Sequence, residues 1–121
     1  MKKTNPMTID YEGRLFRAVS NSSTGEVGSD TVFRYRQSGN LVWGDYSGGS
    51  IKRGFLIATV DDEGCLDMRY QHVNTSGELQ TGVCKTRPEL LPDGRLRLHE
   101  SWQWTSGDGS KGESVLEEIG S

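Results

Sequence analysis

Leu96-Arg97-Leu98-His99-Glu100-Ser101-Trp102-Gln103-Trp104 alternates without a break. A strand with one buried face reads this way, because successive side chains of an extended chain point to opposite sides. Leu96, Leu98, Trp102 and Trp104 share one face with Glu100 among them, and Arg97, His99, Ser101 and Gln103 share the other. An unpaired carboxylate in an apolar interior is costly, so Glu100 must be paired, protonated or wet. The stretch predicts a strand, and it asks what its Trp-lined face encloses.

Outward from it, the same pattern recurs. Glycines stand at turn-like spots such as Ser38-Gly39-Asn40, Ser47-Gly48-Gly49, Asp62-Glu63-Gly64, Ser76-Gly77, Pro92-Asp93-Gly94 and Ser106-Gly107-Asp108-Gly109. Gly and Asn accept the positive φ that tight turns need. The runs between predict eight strands: Gly13–Ser20, Thr31–Gln37, Leu41–Ser47, Ile51–Asp61, Cys65–Asn74, Leu79–Arg87, Arg95–Trp104 and Gly112–Ile119. No segment carries a helical period. Strands this numerous joined by short turns leave two exposed edges unless the sheet closes, so the expected fold is all-β, one antiparallel meander closed into a barrel. Residues 13–119 form the barrel domain in this reading, with 1–12 a leading segment, turn-like or loose, and 120–121 a tail.

Composition narrows the function classes. A chain of 121 residues is one domain, and its net charge of −3 with interspersed signs argues against a nucleic-acid partner. Thr4-Asn5-Pro6-Met7-Thr8-Ile9-Asp10 is no apolar leader and no long apolar run follows, so no membrane partner is expected and the cytoplasm is the expected location. Cys65 and Cys84 do not make a disulfide framework, and the scattered Cys and His lack metal-ligand spacing. No dinucleotide fingerprint or phosphate loop appears, so no cofactor is expected.

Alternation assigns faces. Phe33, Tyr35 and Gln37 oppose Val32, Arg34 and Arg36; Leu66, Met68, Tyr70 and His72 oppose Asp67, Arg69 and Gln71. The phases of the third strand, with Trp43 and Asp45 against Val42, Gly44 and Tyr46, and of the fourth, around Phe55-Leu56-Ile57-Ala58, stay open. Tyr35, Gln37, Tyr70, His72, Glu100, Trp102 and Trp104 are the candidate ligand-binding residues. Apolar walls with a few fixed polar groups describe a small-molecule pocket, here for a small apolar or aromatic ligand. Two other readings stand beside it. The interior is solid and the outer face, with Arg34, Arg36, Arg69, Phe55 and Ile57, meets a protein partner or a second copy; or His72 and Glu100 form an acid–base pair in an enzyme. No catalytic residue is assigned, because no nucleophile sits in a recognisable elbow. One internal echo, Tyr46-Ser47-Gly48-Gly49-Ser50-Ile51-Lys52-Arg53-Gly54 against Trp104-Thr105-Ser106-Gly107-Asp108-Gly109-Ser110-Lys111-Gly112, fits two equivalent hairpins or chance in a Gly-rich chain.

Phe33-Arg34-Tyr35-Arg36-Gln37-Ser38-Gly39-Asn40, Trp43-Gly44-Asp45-Tyr46-Ser47-Gly48-Gly49, Tyr70-Gln71-His72-Val73-Asn74 and Leu98-His99-Glu100-Ser101-Trp102-Gln103-Trp104 together resemble a family of short bacterial proteins that often carry the label "n-acetylglutamate synthase". The resemblance runs from about Gly13 to Glu118 and implies a small lipocalin- or calycin-like barrel. It brings no catalytic residues. The label's own chemistry does not suit the residues. An acetyltransferase holds the acetyl-CoA pyrophosphate on a Gln/Arg-x-x-Gly-x-Gly/Ala loop before a helix. The nearest stretch, Arg36-Gln37-Ser38-Gly39-Asn40-Leu41, ends in Leu41 and leads into a predicted strand.

Overall fold

Short turns between alternating strands bring each strand beside the one before it. In the computed structural model, which describes residues 9–119, they build β1 (Leu15–Asn21), β2 (Val32–Ser38), β3 (Leu41–Gly48), β4 (Ile51–Val60), β5 (Leu66–Asn74), β6 (Leu79–Leu90), β7 (Leu96–Trp104) and β8 (Lys111–Glu118). Each pairs antiparallel with the next, and β8 returns to β1, which closes the barrel. The fold is the expected one: all-β, with no helix among the described residues. None of them forms a helix long and apolar enough to cross a membrane. Strand β6 runs past the expected end at Arg87, through Pro88 to Leu90. Its β5 neighbour stops at Leu66, opposite Thr86, so Pro88 lies on a one-sided stretch where a missing N–H is tolerated.

Two bulges set the side-chain phases. In β1 the register slips between Ala18 and Ser20, which turns Asn21 inward after Phe16 and Ala18. In β4 it slips between Ile51 and Arg53, so Gly54, Leu56 and Ala58 face in while Phe55 and Ile57 face out, about half exposed. The same extra β4 residue shifts the β3 pairing between Tyr46 and Gly48, and Val42, Gly44 and Tyr46 of β3 face in. Trp43 faces out, beneath the Arg36 guanidinium at 5.8 Å. The phases of β2, β5 and β7 are those read from alternation.

The two halves of the barrel are filled differently. Toward the end where β7 begins, Phe16, Val42, Leu66, Leu96, Leu98 and Leu116 form a fully buried apolar plug. The leading residues complete it. Ile9 and Tyr11 are buried, the Tyr11 hydroxyl donates to the Gly64 carbonyl at 2.6 Å, and its ring meets that of Tyr35 at 5.7 Å. A side chain at Gly64 would collide with Ile9. Residues 9–12 therefore pack against the barrel as its stopper and lead into a turn closed by Arg14 N–H to Tyr11 O at 3.2 Å, rather than lying loose; residues 1–8 and 120–121 of the expected termini lie outside the described residues.

Candidate functional site

At the opposite end the interior is aromatic. Phe33 stacks on Tyr46 at 4.8 Å, Tyr46 meets the edge of His72 at 5.6 Å, and His72 meets Trp104 at 5.7 Å. Trp104 then touches Trp102 at 5.6 Å and Tyr70 at 5.8 Å. The sequence makes room for these rings with glycines on the neighbouring strands. Tyr46 lies opposite Gly54, Tyr70 opposite Gly82, and Trp102 opposite Gly112. At each of these glycines a Cβ would come within 2.5 Å of the facing ring. A ring laid over a bare backbone is packed from behind and keeps its other face for the interior.

These rings, with Asn21, Leu56, Met68, Cys84, Glu100 and Ser114, line a cavity of about 50 Å³. By this measure a water needs about 10–15 Å³, so the space suits a few waters or a ligand of a few heavy atoms. Its polar side is a row across three strands, since Ser114 of β8 lies opposite both Asn21 of β1 and Glu100 of β7. Ser114 Oγ donates to Glu100 Oε1 at 2.8 Å. Burial pushes the Glu100 carboxyl up to about 7, against the smaller opposing effect of the Ser114 hydrogen bond. The Asn21 amide donates to Val27 O at 2.8 Å, which leaves Asn21 Oδ1 buried with no partner among the described residues.

The connection from β1 to β2 crosses the mouth as a strap. Two of its groups are tied to cavity side chains and a third to the buried Asn74. Trp104 Nε1 donates to Thr24 O at 3.0 Å; Glu26 Oε1 meets His72 Nε2 at 2.8 Å; and Glu26 Oε2 accepts from Asn74 Nδ2 at 3.1 Å. The Tyr46 hydroxyl lies 2.9 Å from His72 Nδ1. One proton on Nε2 satisfies the whole chain: Nε2–H donates to Glu26 and Nδ1 accepts from Tyr46.

A family model described as avidin-like protein matches residues 9–119. The chain belongs to the avidin-like family. No curated protein matches it. The match begins at Ile9, so the avidin-like unit includes the stopper.

In this avidin-like barrel, five of the seven residues expected at a site line one cavity: Tyr70, His72, Glu100, Trp102 and Trp104. Tyr35 and Gln37 do not. Tyr35 packs at the stoppered half between Tyr11 and Phe16, and Gln37 sits at that rim, where its Oε1 accepts from Tyr11 N. Gln37 has the right parity, but it lies next to the last residue of β2, a strand running the opposite way to β5 and β7. The expected pair of His72 with Glu100 is not made: His72 pairs with Glu26, and Glu100 is bonded to Ser114. Sequence reasoning missed Asn21, which only the β1 bulge turns inward, and Glu26, which lies in a loop. Ser114 was within reach: it alternates with Glu113 and Val115 of β8 as Leu116 does.

The echoed hairpins are β3–β4 and β7–β8, with different registers: Tyr46 faces Gly54, whereas Gly112 faces Trp102 rather than Trp104. Elsewhere Asp61, Glu63 and Cys65 bring potential metal ligands within 4.8 Å of one another. The Asp61 carboxylate there accepts from the backbone N–H groups of Glu63 and Cys65, so it serves the β4–β5 turn.

Proposed function

We propose that this avidin-like barrel binds a small molecule in the aromatic cavity. Tyr70, Trp102 and Trp104 supply the walls, and Glu100 and His72 fix a polar group. The observation that carries this reading is the contrast between the two ends. The stoppered end is packed solid around Phe16, the leucines, Tyr11 and Tyr35, whereas the aromatic end leaves a volume, and of the two buried polar atoms without a partner among the described residues, Tyr35 Oη and Asn21 Oδ1, the second belongs to a residue that lines it. Buried polar groups are normally satisfied, and an orphan beside a cavity suits a partner brought by a ligand. Tyr35 and Gln37 fall outside this proposal. The free thiols of Cys65 and Cys84 support a reducing, cytoplasmic setting. An acetyltransferase activity has no support in an all-β chain.

Native mass spectrometry of freshly purified protein tests the reading, together with intrinsic fluorescence during titration with any released compound. A co-purifying small molecule is expected, its return should quench or shift the Trp emission, and Trp102→Ala should abolish that response. Protein that carries no molecule, and whose emission responds to none of a library of small metabolites, overturns it.

A further inference from the structure

The cavity's charges do not balance. Among the described residues no Lys or Arg lines it, while Glu26 and Glu100 both do; Lys85 and Arg87 share with Glu100 only a separate, more open space at the β6–β7 side, and neither makes a hydrogen bond or ion pair with its carboxylate. The two carboxylates differ in their partners. Glu26 is engaged by His72 and Asn74. Glu100 receives one hydrogen bond, from the neutral Ser114 hydroxyl to Oε1, and its Oε2 has no partner among the described residues. Glu100 is half-buried, and a carboxylate withdrawn this far from water is ordinarily paired with a cation or multiply hydrogen-bonded. Around it stand π faces, with Trp102, Trp104, Tyr70 and Tyr46 lining the same space. Ring faces attract cations.

On the reading that this cavity binds a small molecule, we infer that its ligand carries a primary ammonium group, held by the Glu100 carboxylate and the Asn21 carbonyl oxygen with its short alkyl body against Trp102 and Tyr70. An ammonium offers three N–H donors, and the polar row offers acceptors at Glu100, Ser114 and Asn21. The orientation of Asn21 is fixed, because its amide nitrogen is spent on Val27 O and its oxygen is the atom left over. The cavity of about 50 Å³ limits the ligand to a few heavy atoms while the strap is closed. A ligand that small binds no tighter than roughly tens of micromolar.

The ligand charge gives the binding a pH signature. Glu100 shares the interior with Cys84 of β6, Tyr70 and His72 of β5, Tyr46 of β3, Tyr35 of β2, Tyr11 of the stopper and Glu26 of the strap. Strands β1, β4 and β8 bring Asn21, Leu56 and Ser114 to the cavity, none of them titratable. Burial, with the Glu100 charge adding to it, disfavours ionisation of Tyr11, Tyr35, Tyr46, Tyr70 and Cys84, and since these groups ionise only to anions none of them is a counter-charge. With its own carboxyl pushed up to about 7, Glu100 is ionised at pH 8 and largely protonated at pH 5.

The test compares isopropylammonium, isopropanol and isobutyrate on the full chain at equal ionic strength, by Trp fluorescence and by the indole N–H signals in NMR. Isopropylammonium keeps its charge at pH 8, as a lysine side chain does. Saturable binding of the ammonium is expected at pH 8, on the order of a hundredfold weaker at pH 5. Glu100→Gln should remove the preference for ammonium over isopropanol at both pH values, which separates Glu100 from His72. The pH series on the unaltered chain stands even if that variant folds poorly. Binding of isopropanol or isobutyrate as tight as that of the ammonium, or ammonium binding indifferent to pH and to Glu100→Gln, overturns the cation assignment and leaves the binding reading intact. No saturable change with any of the three also overturns it, and the native mass spectrum then judges the binding reading separately.

Discussion

Glu100 is held on the inner face of β7 by alternation, between leucines on one side and tryptophans on the other. Its raised carboxyl makes a statement about stability. The folded chain binds a proton at Glu100 more tightly than the unfolded chain does, so this group's contribution is fully present below about pH 4.5 and is lost as pH rises through about 7. The interval corresponds to about 3 kcal/mol. Urea unfolding at pH 5 and pH 8 should therefore show the unaltered chain losing on the order of 3 kcal/mol more than Glu100→Gln over that range. Equal losses in the two proteins would mean that the carboxyl is not buried as described. The same residue marks what the sequence made legible. Its parity placed it inside with Trp102 and Trp104, because strand alternation is local. Its neighbours were legible in part: Ser114 is reached across the β7–β8 hairpin, whereas Asn21 comes alongside only when β8 closes on β1. Gln37 shows the complementary limit. Parity tells in from out, but height along the barrel also needs strand direction, and β2 runs opposite to β5 and β7.

At the level of elements, strands and their order followed from glycine-bearing turns and alternation, both of which act over a few residues. Bulges did not, because one unpaired residue such as Val19 or Lys52 leaves no mark in composition yet inverts every later side chain. This is why Asn21 went unseen; the phase of β4 stayed open because Phe55-Leu56-Ile57-Ala58 is apolar on both faces. The glycines opposite aromatic rings carry a prediction. In Gly112→Ala the new methyl must displace the Trp102 ring, which lies 2.3 Å from the Cβ position. A loss of about 1–3 kcal/mol is expected from such overpacking. Trp fluorescence should change as the cavity wall moves. Unchanged stability and emission would show that the ring does not rest on Gly112.

On the scale of the whole molecule, the avidin-like barrel divides its interior between a stopper and a chamber, and its outer face keeps Phe55 and Ile57 in solvent. The division was only half legible. The leucines of β7 predicted a packed core, but nothing local announced that Ile9 and Tyr11 turn back to seal one end. The strap at the other end is held by the backbone and side chains of Thr24, Glu26 and Val27 rather than by strand pairing. Glu26→Ala removes the contacts to His72 and Asn74 together. Amide hydrogen exchange at residues 24–28 should accelerate at least tenfold, while the barrel strands keep their protection. Uniform acceleration across the strands would instead make Glu26 a determinant of global stability.

A chamber stoppered at its base is a blind alley, and this bears on time rather than on affinity. Whatever enters beneath the strap leaves by the same door, with no second exit past Tyr11. On the binding reading, the residence time of an occupant then depends on how the strap moves over this half-open mouth. Weak affinity and slow release can coexist in such a protein, and the strap sets the clock for both arrival and departure.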